Sequence, residues 1–155
     1  MRCVAIIVVG AVAAGCSGDD GGDGRTPLFA ADYATTYREV RDCRSSGDHD
    51  LQQIRVLADP AAYDVYMART GTFPVGAVVL KEQFDFGDAT CAEDPVQWTV
   101  MVKTAAGGDP LHLGWQWQRV DAARRVVTEN DSRCFGCHAE CGVEPDGFDG
   151  TCAVP

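Results

Sequence analysis

The chain has 155 residues, 46% of them apolar, and a formal net charge of −10. That length is one domain's worth, and the apolar fraction is enough to build a core. A surface this acidic repels phosphate backbones, which argues against nucleic acid as a partner.

From the N-terminus, Met1-Arg2 leads into an apolar run from Val4 to Ala14, then Gly15-Cys16. The run is too short for a bilayer span, which needs ~20 residues, but it fits the core of a signal peptide. Ala13-Ala14-Gly15-Cys16 resembles a bacterial lipobox, in which the cysteine is acylated and becomes the first residue; a plain secretory signal is the alternative. Removing residues 1–15 loses Arg2 and no acid, so the mature charge is −10 − 1 = −11. The Ser-Gly-Asp-Asp-Gly-Gly-Asp-Gly stretch after Cys16 cannot bury anything and reads as a flexible tether over 16–28. The expected organisation is therefore a leader (1–15), a tether (16–28) and one folded domain (29–155). The protein is expected to be exported, as a periplasmic or outer-membrane-anchored lipoprotein whose only membrane contact is its N-terminal lipid.

Along the domain, Tyr33, Tyr37 and Val40 have helical spacing, which predicts a helix over 32–45 capped by Asp32. Gln53 to Ala58 alternates as a strand, and Asp59-Pro60 then starts a short helix. A turn over Thr70 to Pro74 precedes three strands: Val75 to Phe84, apolar on both faces; Val96 to Lys103; and Leu113 to Val120. Gly107-Gly108-Asp109-Pro110 connects the last two as a hairpin. Consecutive short strands with turns between them predict an α+β domain, mainly antiparallel sheet with a few helices.

Eight cysteines is a high count for this length. Cys134-Phe135-Gly136-Cys137-His138 is the attachment pattern for a c-type haem. Two thiols two residues apart can reach the two vinyl groups of one porphyrin, and the adjacent imidazole then serves as proximal iron ligand. Two other readings compete: zinc held by Cys134, Cys137, His138 and Cys141, or a plain disulfide beside a histidine. Export favours the haem, since bacterial haem attachment takes place outside the cytoplasm. The motif lies near the C-terminus with no methionine after it. Met67, Met101, His49 and His112 are read as core or surface rather than as a sixth ligand, so an iron with one open face is expected. In an oxidising compartment the cysteines outside the leader and the motif pair off. Cys141–Cys152 closes a short loop, and Cys43–Cys91 is the pair that remains.

The stretch Ile54-Arg55-Val56-Leu57-Ala58-Asp59-Pro60, then Tyr63, then Arg69-Thr70-Gly71-Thr72-Phe73-Pro74-Val75-Gly76-Ala77-Val78-Val79-Leu80-Lys81-Glu82, carries a family resemblance. Together with Met101-Val102-Lys103, the Trp115/Trp117 strand and the terminal haem motif, it resembles the cytochrome P-460 family, including the beta-type cytochromes c-prime. The resemblance implies a largely β fold, a homodimer and one covalent haem c with a five-coordinate iron. It also implies roles for three further residues. Lys81 falls where hydroxylamine-oxidising members bond a lysine to the macrocycle, and shares a face with Ala77 and Val79. Arg55 falls where a guanidinium can meet a nitrogen-oxide ligand on the distal side, and is otherwise an exposed strand arginine.

Thr99 stands where the enzymes carry a distal glutamate, and a threonine hydroxyl is no base near neutral pH. The usual family ending is replaced by Cys141 to Cys152, rich in Gly, Pro and Asp. Three functions follow as expectations: oxidation of hydroxylamine or nitric oxide, with an unidentified redox partner; non-catalytic nitric-oxide binding or electron transfer; or a structural lipoprotein domain with a zinc or disulfide cluster.

Overall fold

A computed structural model of the chain describes residues 24–47, 49, 52–104, 112–141 and 147–155. The leader, Cys16, most of the tether and the Gly107 to Pro110 turn lie outside the described residues. Among the described residues no helix is long and apolar enough to cross a membrane.

The core is a six-stranded antiparallel sheet in which every strand pairs with the one before it: β1 (Arg38–Ser45), β2 (Gln53–Ala58), β3 (Val78–Phe84), β4 (Gln97–Lys103), β5 (Trp115–Asp121) and β6 (Val126–Glu129). Three short helices accompany it: α1 (Tyr33–Thr36), α2 (Tyr63–Ala68) and α3 (Ser132–His138). This is the mainly antiparallel α+β domain expected from the sequence.

β2 to β5 form where the alternating pattern places strands. β3 is apolar on both faces because both faces are covered. On one face Val56, Val79, Met101, Trp115 and Trp117 pack with Tyr66, Phe73 and the half-buried Cys134 and Phe135. On the other, Leu57, Val78, Leu80, Trp98, Val100 and Val120 pack under Phe29 and Tyr33. The chain is already held down ahead of Phe29, since Gln118 accepts the Leu28 amide proton at 3.0 Å and donates to the Thr26 carbonyl at 3.3 Å.

The long helix predicted over 32–45 is corrected. Helix α1 spans four residues, and the chain turns extended at Tyr37 to enter β1. Asp32 gives no side-chain cap; its carbonyl accepts the Thr35 and Thr36 amides instead. The three residues with helical spacing divide between the two faces: Tyr33 and Tyr37 go to the Phe29 side and Val40 to the Trp117 side. Pairing β1 with β2 outweighs local propensity here. The β1 register is broken by two irregularities, the kind of distortion that protects an edge strand.

The Asp59-Pro60 start is a turn, in which the Asp59 carboxylate accepts the Ala62 amide at 2.8 Å before α2 begins at Tyr63. Gly76, at φ 88°, supplies the left-handed residue that turns the chain into β3. β6 was not anticipated. Disulfides join Cys43 to Cys91 and Cys141 to Cys152.

Candidate functional site

Asp131 caps α3 by accepting the Arg133 amide with its side chain, which starts the helix at Ser132. On this helix Cys134, Cys137 and His138 stand at i, i+3 and i+4, so all three share one face. They line a cavity of about 230 Å3 between α3 and the Trp117 face of the sheet. Both thiols are free, and Cys137 is exposed. Burial pushes the Cys134 thiol above its ordinary value.

His138 is fixed from two sides. Its ring meets Trp117 edge-on, with centroids 4.8 Å apart. Its Nδ1 lies 2.6 Å from the Gly150 carbonyl oxygen. A carbonyl only accepts, so Nδ1 carries the proton and Nε2 keeps its lone pair. Burial first, then the charge of Lys81, pushes His138 down to about 4, against the Gly150 bond, so the imidazole is neutral near pH 7. A neutral imidazole with a fixed Nδ1–H and a free Nε2 is the form that ligates a metal.

The pairing register decides the rest of the wall. Val56, Lys81, Thr99, Arg119 and Thr128 lie in one row across β2 to β6, and all five line the cavity. Lys81 Nζ sits 2.7 Å from His49 Nε2, in the segment between β1 and β2. Burial, then the charges of Lys81 and His138, pushes His49 down to about 3. Thr99 Oγ1 accepts from Gln83 at 3.5 Å.

Arg55 is not in this row. It pairs with Glu82 and Trp98 across the other face. Its Nε donates to Glu82 Oε2 at 2.6 Å, Tyr33 donates to Glu82 Oε1 at 2.9 Å, and Trp98 donates to the Tyr33 hydroxyl at 3.0 Å. The distal role expected of Arg55 is therefore corrected in this chain: its neighbour Val56 faces the cavity, so strand parity turns Arg55 away. Glu82, next to Lys81 on β3, is turned away for the same reason.

Of the other candidates, Met101 and His49 reach the cavity, Met67 is exposed, and His112 meets Phe135 edge-on with centroids 4.9 Å apart. Glu93 and Asp94 are exposed and do not line the cavity. The four-ligand zinc reading loses a member, because Cys141 is bonded to Cys152.

The cavity suits a haem. Apolar Val56, Val79, Met101 and Trp117 cover much of the wall, and two free thiols stand next to the imidazole. The Nε of Arg119 is buried with no hydrogen-bond partner among the described residues, leaving a cationic donor for an acidic group. A family model, Cytochrome P460, matches residues 32–144. The chain belongs to the cytochrome P460 family. Membership implies a haem as its cofactor, and the match spans α1 through α3 and both walls of the cavity. No individually curated protein matches the sequence. The P460 cavity takes in Arg119, which the sequence does not single out, and His49, which the sequence reads as core or surface. His49 sits in a polar connecting segment with no periodicity, and Arg119 alternates with buried residues like any exposed strand arginine.

Proposed function

We propose that the chain is an exported cytochrome P460 carrying one covalent haem c at Cys134 and Cys137, with His138 as proximal ligand, that binds nitric oxide and oxidises hydroxylamine poorly. The observation that carries this reading is the convergence of two free thiols and a neutral imidazole on one cavity. In it, Nδ1–H donates to the Gly150 carbonyl, which leaves Nε2 available. Cys134, Cys137 and His138 would hold the haem, which when bound would supply an iron able to take a small ligand and to exchange one electron.

What the chain itself supplies is binding and orientation. Trp117 holds the imidazole ring, Val56, Val79 and Met101 give the wall an apolar patch, and Arg119 offers a buried donor. Lys81 is the amine for which the family resemblance implies a bond to the macrocycle. Oxidation of hydroxylamine also needs an acceptor for protons, which typically contributes 10²–10⁴-fold. The cavity is poor in such groups. Thr99 is a hydroxyl, and Asp131 is committed to capping α3 and to Arg133. His49, pushed down to about 3, accepts protons weakly near neutral pH.

The test uses the protein produced with its leader and purified from the exported fraction. After acid-acetone extraction, a pyridine haemochrome assay is expected to find haem on the protein and none on Cys134→Ala/Cys137→Ala. An unmodified chain that carries no haem, or gives all of it up to extraction, refutes the reading.

A further inference from the structure

The segment 147–153 is tied to the site and to the sheet at several points. Lys103 is 4% exposed at the end of β4 and reaches the Asp149 carboxylate at 2.9 and 3.1 Å. Trp115 Nε1 donates to the Asp149 carbonyl at 2.9 Å. One residue on, the Gly150 carbonyl accepts from His138 Nδ1. Phe148 and Thr151 pair with each other across this turn, in which Asp149 and Gly150 both have positive φ. Cys152 then bonds to Cys141, directly after α3, and the Ala153 carbonyl accepts from Tyr66 at 2.7 Å. The carbonyl facing the imidazole is thus held between an ion pair, an indole and a disulfide.

We infer that this C-terminal strap, pinned by Lys103–Asp149 and the Cys141–Cys152 disulfide, is the positioning device that sets the orientation and donor strength of His138. The inference rests on the reading of His138 as proximal ligand. A fixed acceptor at Nδ1 makes an imidazole more basic at Nε2 and selects one ring orientation, and partners of this kind tune metal sites strongly. Lys103 and Cys141 touch no ligand themselves; they act through Gly150.

The experiment is resonance Raman of the ferrous holoprotein, reading the iron–histidine stretching band, with the reduction potential measured beside it. Cys141→Ser/Cys152→Ser and, with the disulfide left intact, Lys103→Met are compared with Cys43→Ser/Cys91→Ser as control. The two strap variants are expected to shift the band down and the potential up, and the control to leave both unchanged. Should the double serine variant not fold, Lys103→Met alone decides. An unmoved band in haem-bearing strap variants overturns the inference and leaves the haem reading intact, and an equal shift in the control also overturns it. Absence of haem from the unmodified protein overturns the functional reading, and this inference with it.

Discussion

Replacing Arg55 with Met tests the assignment of the two sheet faces. Glu82 has a side chain 3% exposed and two partners, the Arg55 guanidinium at 2.6 Å and the Tyr33 hydroxyl at 2.9 Å. Arg55→Met leaves the carboxylate buried with one neutral donor. Breaking a fully buried pair costs about 3–5 kcal/mol. Arg55 is 31% exposed on its side chain, so water screens part of this and about 2–3 kcal/mol is expected. Removing both charges in Arg55→Met/Glu82→Met should restore most of the loss, because no unpaired charge stays behind. Urea unfolding of the holoprotein measures the cost, and nitric-oxide titration measures the site. Affinity should stay within about twofold, since Arg55 faces away from the cavity. A tenfold loss of nitric-oxide affinity with stability almost unchanged would show that Arg55 reaches the ligand and refute the face assignment.

Three further outcomes are expected. Burial raises Tyr33 from 10.0 to about 12, with Glu82 adding to it, and burial raises Tyr66 likewise to about 12. The folded state therefore favours the neutral phenols: their stabilisation is complete below pH 10 and is lost as pH rises toward 12, by about 2–3 kcal/mol for each ring. Unfolding followed from pH 9 to 12 should show that slope, flattened in Tyr33→Phe and Tyr66→Phe; an unchanged slope in both variants contradicts it. By loop entropy, Cys43→Ser/Cys91→Ser should cost about 4 kcal/mol and Cys141→Ser/Cys152→Ser about 3 kcal/mol, the spans being 48 and 11 residues. Calorimetry that ranks them in the opposite order would count against the entropic account. Thr99→Glu puts a carboxylate on the cavity wall beside Lys81 and should raise hydroxylamine turnover; fast turnover in the unmodified protein, with no gain in the variant, would refute the missing-base argument.

The parts of the fold legible in the sequence are those where period and burial agree. Most positions that β3 and β4 bury are apolar, Glu82, Gln83 and Lys103 being the exceptions, and the placement of Lys81 beside Val79 follows from alternation alone. Alternation within one strand cannot say which of its faces meets a given face of the next strand. That depends on register, and register is what separates Arg55 from Lys81 although the resemblance placed both at the haem. β1 was hidden because its charged residues leave Tyr33, Tyr37 and Val40 as the clearest signal, and their spacing suits a helix. His138 was legible from the spacing of the motif. Its acceptor was not, because a backbone carbonyl twelve residues away leaves no mark on residue type.

The order of the strands bears on how the molecule assembles. Each strand pairs with its immediate predecessor in the chain, so no pairing must wait for a distant segment, and the entropy of closing each connection grows only slowly with its length. The cavity wall made by β2 to β5 is complete before α3 begins. Cys134, Cys137 and His138 therefore arrive, in chain order, at a sheet face already built. The eleven-residue Cys141–Cys152 closure comes last and fastens the final segment over the imidazole.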